Sequence, residues 1–243
     1  MNRADTTGPV GLVGSGEFLE VMVPLDTELL AGRPQRAVIL PTASAPEGPA
    51  RVRYWVELAL AHYRAMGVEP VPLEVLDRDD AGRPDLAAEV AGAGLVYLSG
   101  GNPGYLAHTL AGTSVWSAIL DAWRSGAALV GCSAGACALS LVAEDFRNPG
   151  RYSGEGLGVV PELVVLPHFD RLEQWMPGLA GRMLLTTPPD AVLVGIDEET
   201  ALVVDHGTFT VRGEKSVWRI DRDGTRLQFR PGERFEPPAT APL

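Results

Sequence analysis

The stretch LVGCSAGACALS (129–140) sets a cysteine beside a serine in a run of small residues, and Gly131 to Gly135 spells G-x-S-x-G. Between an apolar strand and a helix this spacing has a mechanical reason. The chain must reverse sharply, which forces the central residue into a strained backbone conformation and calls for glycines on either side. The spacing predicts that the Ser133 hydroxyl stands exposed at the C-terminal edge of a sheet, while Cys132, still on the strand, points elsewhere and packs. A serine hydroxyl attacks only when a base takes its proton. Of the four histidines, His62 and His108 lie in helical patterns and read as surface or half-buried structural residues, and His206 lies in the turn VDHGT. His168 ends the apolar run ELVVLPHF, so it reaches the same sheet edge as Ser133 and is the expected base.

The base in turn needs a carboxylate to fix its tautomer and stabilise the imidazolium. Asp170 is two residues beyond His168, a spacing that rarely lets a side chain fold back onto the ring. Asp197 and Glu198 follow another apolar strand in VGIDEETALVVD. We take Glu198, with Asp197 and Asp170 as the alternatives. Two backbone N–H groups must converge on a developing oxyanion. One is that of Ala134 at the helix start; the other is expected from Gly101 in LSGGNPGYL (98–106), where Asn102 and Pro103 open a helix. The loop VGSGEFL (13–19) lacks the third glycine of a dinucleotide cradle and reads as a border of the site; no Walker lysine pattern occurs. The chemistry these residues support is acyl transfer through a serine nucleophile.

The elements that must position them follow from the hydrophobic pattern. Short apolar runs are expected as strands: VGLVG (10–14), RAVILPTA (36–43), VEPVPLEV (68–75), GLVYLSGG (94–101), AALVGCS (127–133), LVVLPHF (163–169) and AVLVGID (191–197). Longer amphipathic segments alternate with them, at 51–67, at 103–124 with a break at 112–114, and at 171–185. AGACALSLV, after the G-x-S-x-G turn, is a further helix of small residues. This alternation predicts a three-layer α/β fold with a mostly parallel sheet and crossover helices. From about 200 to 232 the period changes to two, with DHG, RGEK and DRDG turns, which predicts C-terminal antiparallel β-hairpins at the sheet edge. FEPPATAPL is expected to be a frayed tail. At about 100 to 200 residues per domain, we expect residues 1–243 to form one domain.

Composition narrows the functional classes. A formal net charge of -11 with no basic cluster disfavours nucleic acid and anionic lipid as partners. No apolar run approaches the ~18 residues that span a bilayer, and the N-terminus carries no signal-peptide pattern, so a soluble cytoplasmic protein is expected. The two cysteines, Cys132 and Cys137, lie on one local element, so we expect neither a disulfide nor a metal site and read both as buried fillers. No cofactor is expected.

LSGGNPGYL, GCSAGA, LPHF and GIDEETALVV, in this order and at these spacings, resemble the serine peptidases that include cyanophycinase and aspartyl dipeptidase (dipeptidase E), within the class I glutamine amidotransferase-like fold. The likeness runs from VGSGEFL to the C-terminal hairpins. It implies a Ser-His-Glu triad of Ser133, His168 and Glu198, oxyanion donors at Gly101 and Ala134, and a small peptide as substrate, with a homodimer as a possible assembly. The order nucleophile, histidine, acid also separates the chain from α/β-hydrolase esterases. Cyanophycinases typically carry Gln before the histidine and two arginines after it; here Pro167, Leu172 and Gln174 stand at those positions. Their glycine pair is followed by Asp-Gln, here by Asn102-Pro103. These departures disfavour a β-aspartyl-arginine substrate. Arg171 is the nearest cation for a substrate carboxylate, and Asn102 a further substrate contact. Two other readings are weighed: a non-catalytic metabolite-binding member of the fold, and an amidotransferase working through Cys132, although serine holds the central position.

Overall fold

A computed structural model describes residues 6–144 and 154–235. Its strands, in chain order, are β1 (Val10–Val13), β2 (Arg36–Leu40), β3 (Glu69–Pro72), β4 (Leu95–Leu98), β5 (Ala128–Cys132), β6 (Val142–Ala143) and β7 (Gly154–Glu155). They continue as β8 (Leu163–Leu166), β9 (Val192–Ile196), β10 (Thr200–Asp205), β11 (Thr208–Gly213), β12 (Val217–Ile220), β13 (Arg226–Phe229) and β14 (Arg234–Phe235). The largest sheet runs β14-β11-β10-β1-β5-β4-β2-β3. Its β1, β5, β4, β2 and β3 are parallel, whereas β10 joins β1 antiparallel and β11 follows antiparallel to β10.

The parallel strands read as unbroken apolar runs because both faces are covered. On one face Leu12, Val38, Leu40, Val96, Leu98 and Leu129 pack with Leu106, Leu110 and Ile119 from the helices Pro103–Leu110 and Ser114–Arg124. On the other, Val13, Ile39, Tyr97 and Val130 pack with Leu25 and Leu29 of the helix Val23–Leu30 and with Ala59 and Tyr63 of Pro49–Ala65. These are the expected three layers.

The β8 and β9 runs do not extend that sheet. They pair parallel with each other and form a second sheet, β13-β12-β9-β8, with the C-terminal strands β12 and β13. Its inner residues Leu163, Val165, Val194 and Val217 join the first face of the main core. Its outer residues Val164, Leu166 and Leu193 lie under Phe169, Leu172 and Met183 from two further helices, Phe169–Trp175 and Leu179–Thr186. The C-terminal hairpins are therefore divided. One, β10 to β11, extends the main sheet through a two-residue turn at His206 and Gly207, both with positive φ. The other, β12 to β13, crosses to the second sheet. The segment expected as one helix over 171–185 is interrupted around Pro177 and Gly178, as a proline inside a helix requires. The tail expected to fray lies, beyond Phe235, outside the described residues.

Candidate active site

Strand β5 delivers Cys132, and the next residue, Ser133, has φ 52° and ψ -107° before the helix Ala134–Leu139 begins. This is the strained bend that G-x-S-x-G predicts. The two glycines are there for close approach: a Cβ on Gly131 would lie 2.4 Å from the Gly135 backbone, and one on Gly135 would lie 2.2 Å from the Leu98 carbonyl. The Ser133 N–H donates to the Val13 carbonyl at 2.8 Å, which ties the bend to the end of β1.

His168 follows β8 through Pro167 and takes a left-handed conformation, φ 51° and ψ 37°, at the start of the next helix. Its ring comes over the bend, with Nε2 3.0 Å from the Ser133 hydroxyl oxygen and Nδ1 2.9 Å from Glu198 Oε1. With Glu198 as the acceptor, the tautomer that fits both bonds has its proton on Nδ1 and leaves Nε2 to accept from Ser133. The His168 and Glu198 side chains are about three-quarters shielded from solvent.

Both alternative acids have other partners. Asp170 Oδ1 accepts from the Glu198 N–H at 2.9 Å, and its Oδ2 accepts from Lys215 Nζ at 2.9 Å. Burial alone would raise Asp170, but these two donors outweigh it and hold the carboxyl below its ordinary value. Asp197 is buried and accepts from the Ser216 N–H and from Trp218 Nε1. Its burial dominates and pushes it up. Glu198 alone of the three meets the His168 ring.

Gly101, with φ 146°, passes so close to Ala43 that a Cβ would lie 2.2 Å from the Ala43 carbonyl oxygen. Ser133, Ala134, Gly100 and Gly101 all line one cavity of about 380 Å³. Its wall carries Trp55, Leu172, Trp175 and Met176, and its charged lining includes Glu17, Glu47, Arg51 and Glu144. Asn102, expected as a substrate contact, caps a helix: its Oδ1 accepts from the Tyr105 N–H at 2.7 Å, and the residue is outside the cavity lining. Arg171 is also outside that lining and faces Glu198, Nε to Oε2 at 3.7 Å.

Cys132 packs in the core as expected, and its buried thiol also donates to Glu17 Oε2 at 2.8 Å. Burial, and then the charge of Glu17, push this thiol well up, so it stays protonated and is no thiolate nucleophile. His62 is buried rather than half-exposed, and its Nε2 meets the equally buried Asp26 at 2.7 Å. Sequence reasoning also missed Glu17 and Lys215. Glu17 was signalled only by its place in the loop VGSGEFL, which does border the cavity; Lys215 sits in the RGEK turn with no local signal.

The crystal structure of a peptidase from an acI-B1 Actinobacterium has the same fold, with a TM-score of 0.87 at 37% identity over 96% of this chain and 98% of that one. A putative peptidase E protein from Listeria monocytogenes matches with a TM-score of 0.64 at 20% identity over 86% of this chain and 100% of that one, a likeness of fold. The molecule thus has the peptidase E-like class of α/β architecture. The profile of Peptidase family S51 matches residues 11–212, and the chain belongs to that family. Among curated relatives, a cyanophycinase of Trichormus variabilis is 29% identical over 199 residues, 75% of this chain and 62% of its own length. This chain therefore spans less than two thirds of that relative. Peptidase E of Citrobacter koseri is 26% identical over 226 residues, 90% of this chain and 93% of its own length.

Proposed function

We propose that the protein is a serine peptidase that cleaves an amide bond of a small peptide through Ser133, His168 and Glu198. The observation that carries this is the unbroken path from the Ser133 hydroxyl to His168 at 3.0 Å and from His168 to Glu198 at 2.9 Å. His168 Nε2 takes the hydroxyl proton as Ser133 Oγ attacks the substrate carbonyl carbon, and Glu198 stabilises the imidazolium that forms. The carbonyl electron pair moves onto oxygen, which the Gly101 and Ala134 N–H groups receive. On collapse the C–N bond breaks and His168 protonates the leaving amine. Water, deprotonated by the same ring, then hydrolyses the acyl-serine. Membership of Peptidase family S51 supports the reaction class.

The apolar wall of Trp55, Leu172, Trp175 and Met176 supports a peptide whose contacts there are uncharged. Arg171 has the role of steadying the second oxygen of Glu198 in this reading, in place of the substrate contact expected from the sequence. The test is Ser133→Ala against wild type, with a fluorophosphonate label and a dipeptide library that includes Asp-Xaa and β-Asp-Xaa members. Wild type is expected to label and to cleave, and the alanine variant to do neither at unchanged thermal stability. An alanine variant that still cleaves would overturn the assignment.

A further inference from the structure

The end of β1 and the loop after it bond to the segments that carry Ser133, His168 and Glu198. The Val13 carbonyl accepts from the Ser133 N–H, that of Gly14 from the His168 N–H at 3.3 Å, and that of Ser15 from the Glu199 N–H at 2.9 Å. Glu17 is the side chain that completes this set. It is 4% exposed and takes no part in the proton path. Its Oε1 accepts from the Gly100 N–H at 3.0 Å and its Oε2 from the Cys132 thiol at 2.8 Å. Gly100 immediately precedes the proposed oxyanion donor Gly101, and Cys132 immediately precedes the proposed nucleophile.

We propose that Glu17 is a positioning residue of the reaction: one carboxylate clamps the Gly100–Gly101 turn and the Cys132–Ser133 bend at a fixed separation, and so aims the Gly101 amide at the oxygen that forms beside Ser133. This rests on the serine-peptidase reading above. The fit is tight, since a Cβ on Gly100 would lie 2.9 Å from Glu17 Oε1 and 3.7 Å from the Ser133 Cβ. Both donors are buried main-chain or thiol hydrogens, and each of the two Glu17 oxygens accepts from one of them. A preorganised donor contributes to rate only when its direction is held before the charge develops. A slack turn would lower the rate while leaving the apolar wall of Trp55, Leu172, Trp175 and Met176, and hence most ground-state binding, in place.

Glu17→Gln tests this, because whichever way its amide is turned one of the two donors loses its acceptor. The readout is the saturation kinetics of Ser133 labelling by a fluorophosphonate. The maximal labelling rate is expected to fall about 10- to 100-fold while the half-saturating concentration moves less than about threefold. A variant that loses thermal stability but labels at the wild-type maximal rate would show a structural carboxylate only and overturn the proposal. Should Glu17→Gln fail to fold, the other end of the clamp decides. Cys132→Ala removes a donor and is expected to label at least about fivefold more slowly, and Cys132→Ser, which restores one, to recover most of that loss. Equal rates for the two would overturn the proposal. Wild-type protein that does not label at all brings down the peptidase reading together with this one, whereas labelling of wild type and Glu17→Gln at equal rates brings down the clamp alone.

Discussion

Asp170 and Asp197 flank the same catalytic candidate, yet their carboxyls are shifted in opposite directions from the ordinary aspartate value. Asp170, held down by the Glu198 N–H and Lys215 against the effect of its burial, lies below the ordinary 3.8 of an aspartate. Between its folded and unfolded values the unfolded chain binds more protons, so its contribution to stability is complete above 3.8 and is lost as pH falls through the folded value. Asp197, raised mainly by burial, works the other way. Its cost is absent below 3.8 and grows as pH rises through the raised folded value. Urea unfolding between about pH 3 and 6 should therefore show Asp170→Asn losing less stability on acidification than wild type, and Asp197→Asn losing less on return to neutrality. At this scale Ser133, His168 and Glu198 were legible because each stands at the end of an apolar run, where a side chain emerges at a strand edge. Glu17 and Lys215 were not, because their partners lie 83, 115 and 45 residues away and leave no local pattern.

The bend between β5 and its helix stores strain that the glycines around it do not relieve. A residue with a Cβ at φ 52° and ψ -107° costs about 1 to 3 kcal/mol. Glycine at that position escapes the cost but gives back about 0.4 to 1 kcal/mol through the greater freedom of its unfolded chain. Ser133→Gly should consequently be more stable than Ser133→Ala by about 1 kcal/mol in denaturant unfolding, both variants being inactive. A Ser133→Ala variant more stable than Ser133→Gly by about 0.4 to 1 kcal/mol would mean that the bend is unstrained. Helices were legible where the period held, as in the expected 51–67 and the observed Pro49–Ala65. What escaped was the assignment of β8 and β9 to a second sheet. Both strands are buried on both faces, as the central parallel strands are, so the same apolar run results and the pattern cannot say which sheet it joins.

Across the whole molecule the two larger sheets share one interior: Leu163, Val194 and Val217 of the second pack in the same cluster as Leu12, Val38 and Leu129 of the first. We propose on this ground that the chain forms a single domain, as expected from its length. Heating or urea should produce one cooperative transition, coincident by far-ultraviolet circular dichroism and by tryptophan emission. Two separated transitions would mean that the sheets unfold independently. No helix among the described residues is long and apolar enough to cross a membrane.

Trp175 is 59% exposed on the cavity wall, and its ring centroid lies 5.6 Å from that of His168. An indole left wet beside the proposed base acts as an optical gauge of occupancy. A peptide that settles against it strips water from the ring, so emission should shift to shorter wavelength on titration with a non-cleaved analogue, and Trp175→Phe should silence most of that shift.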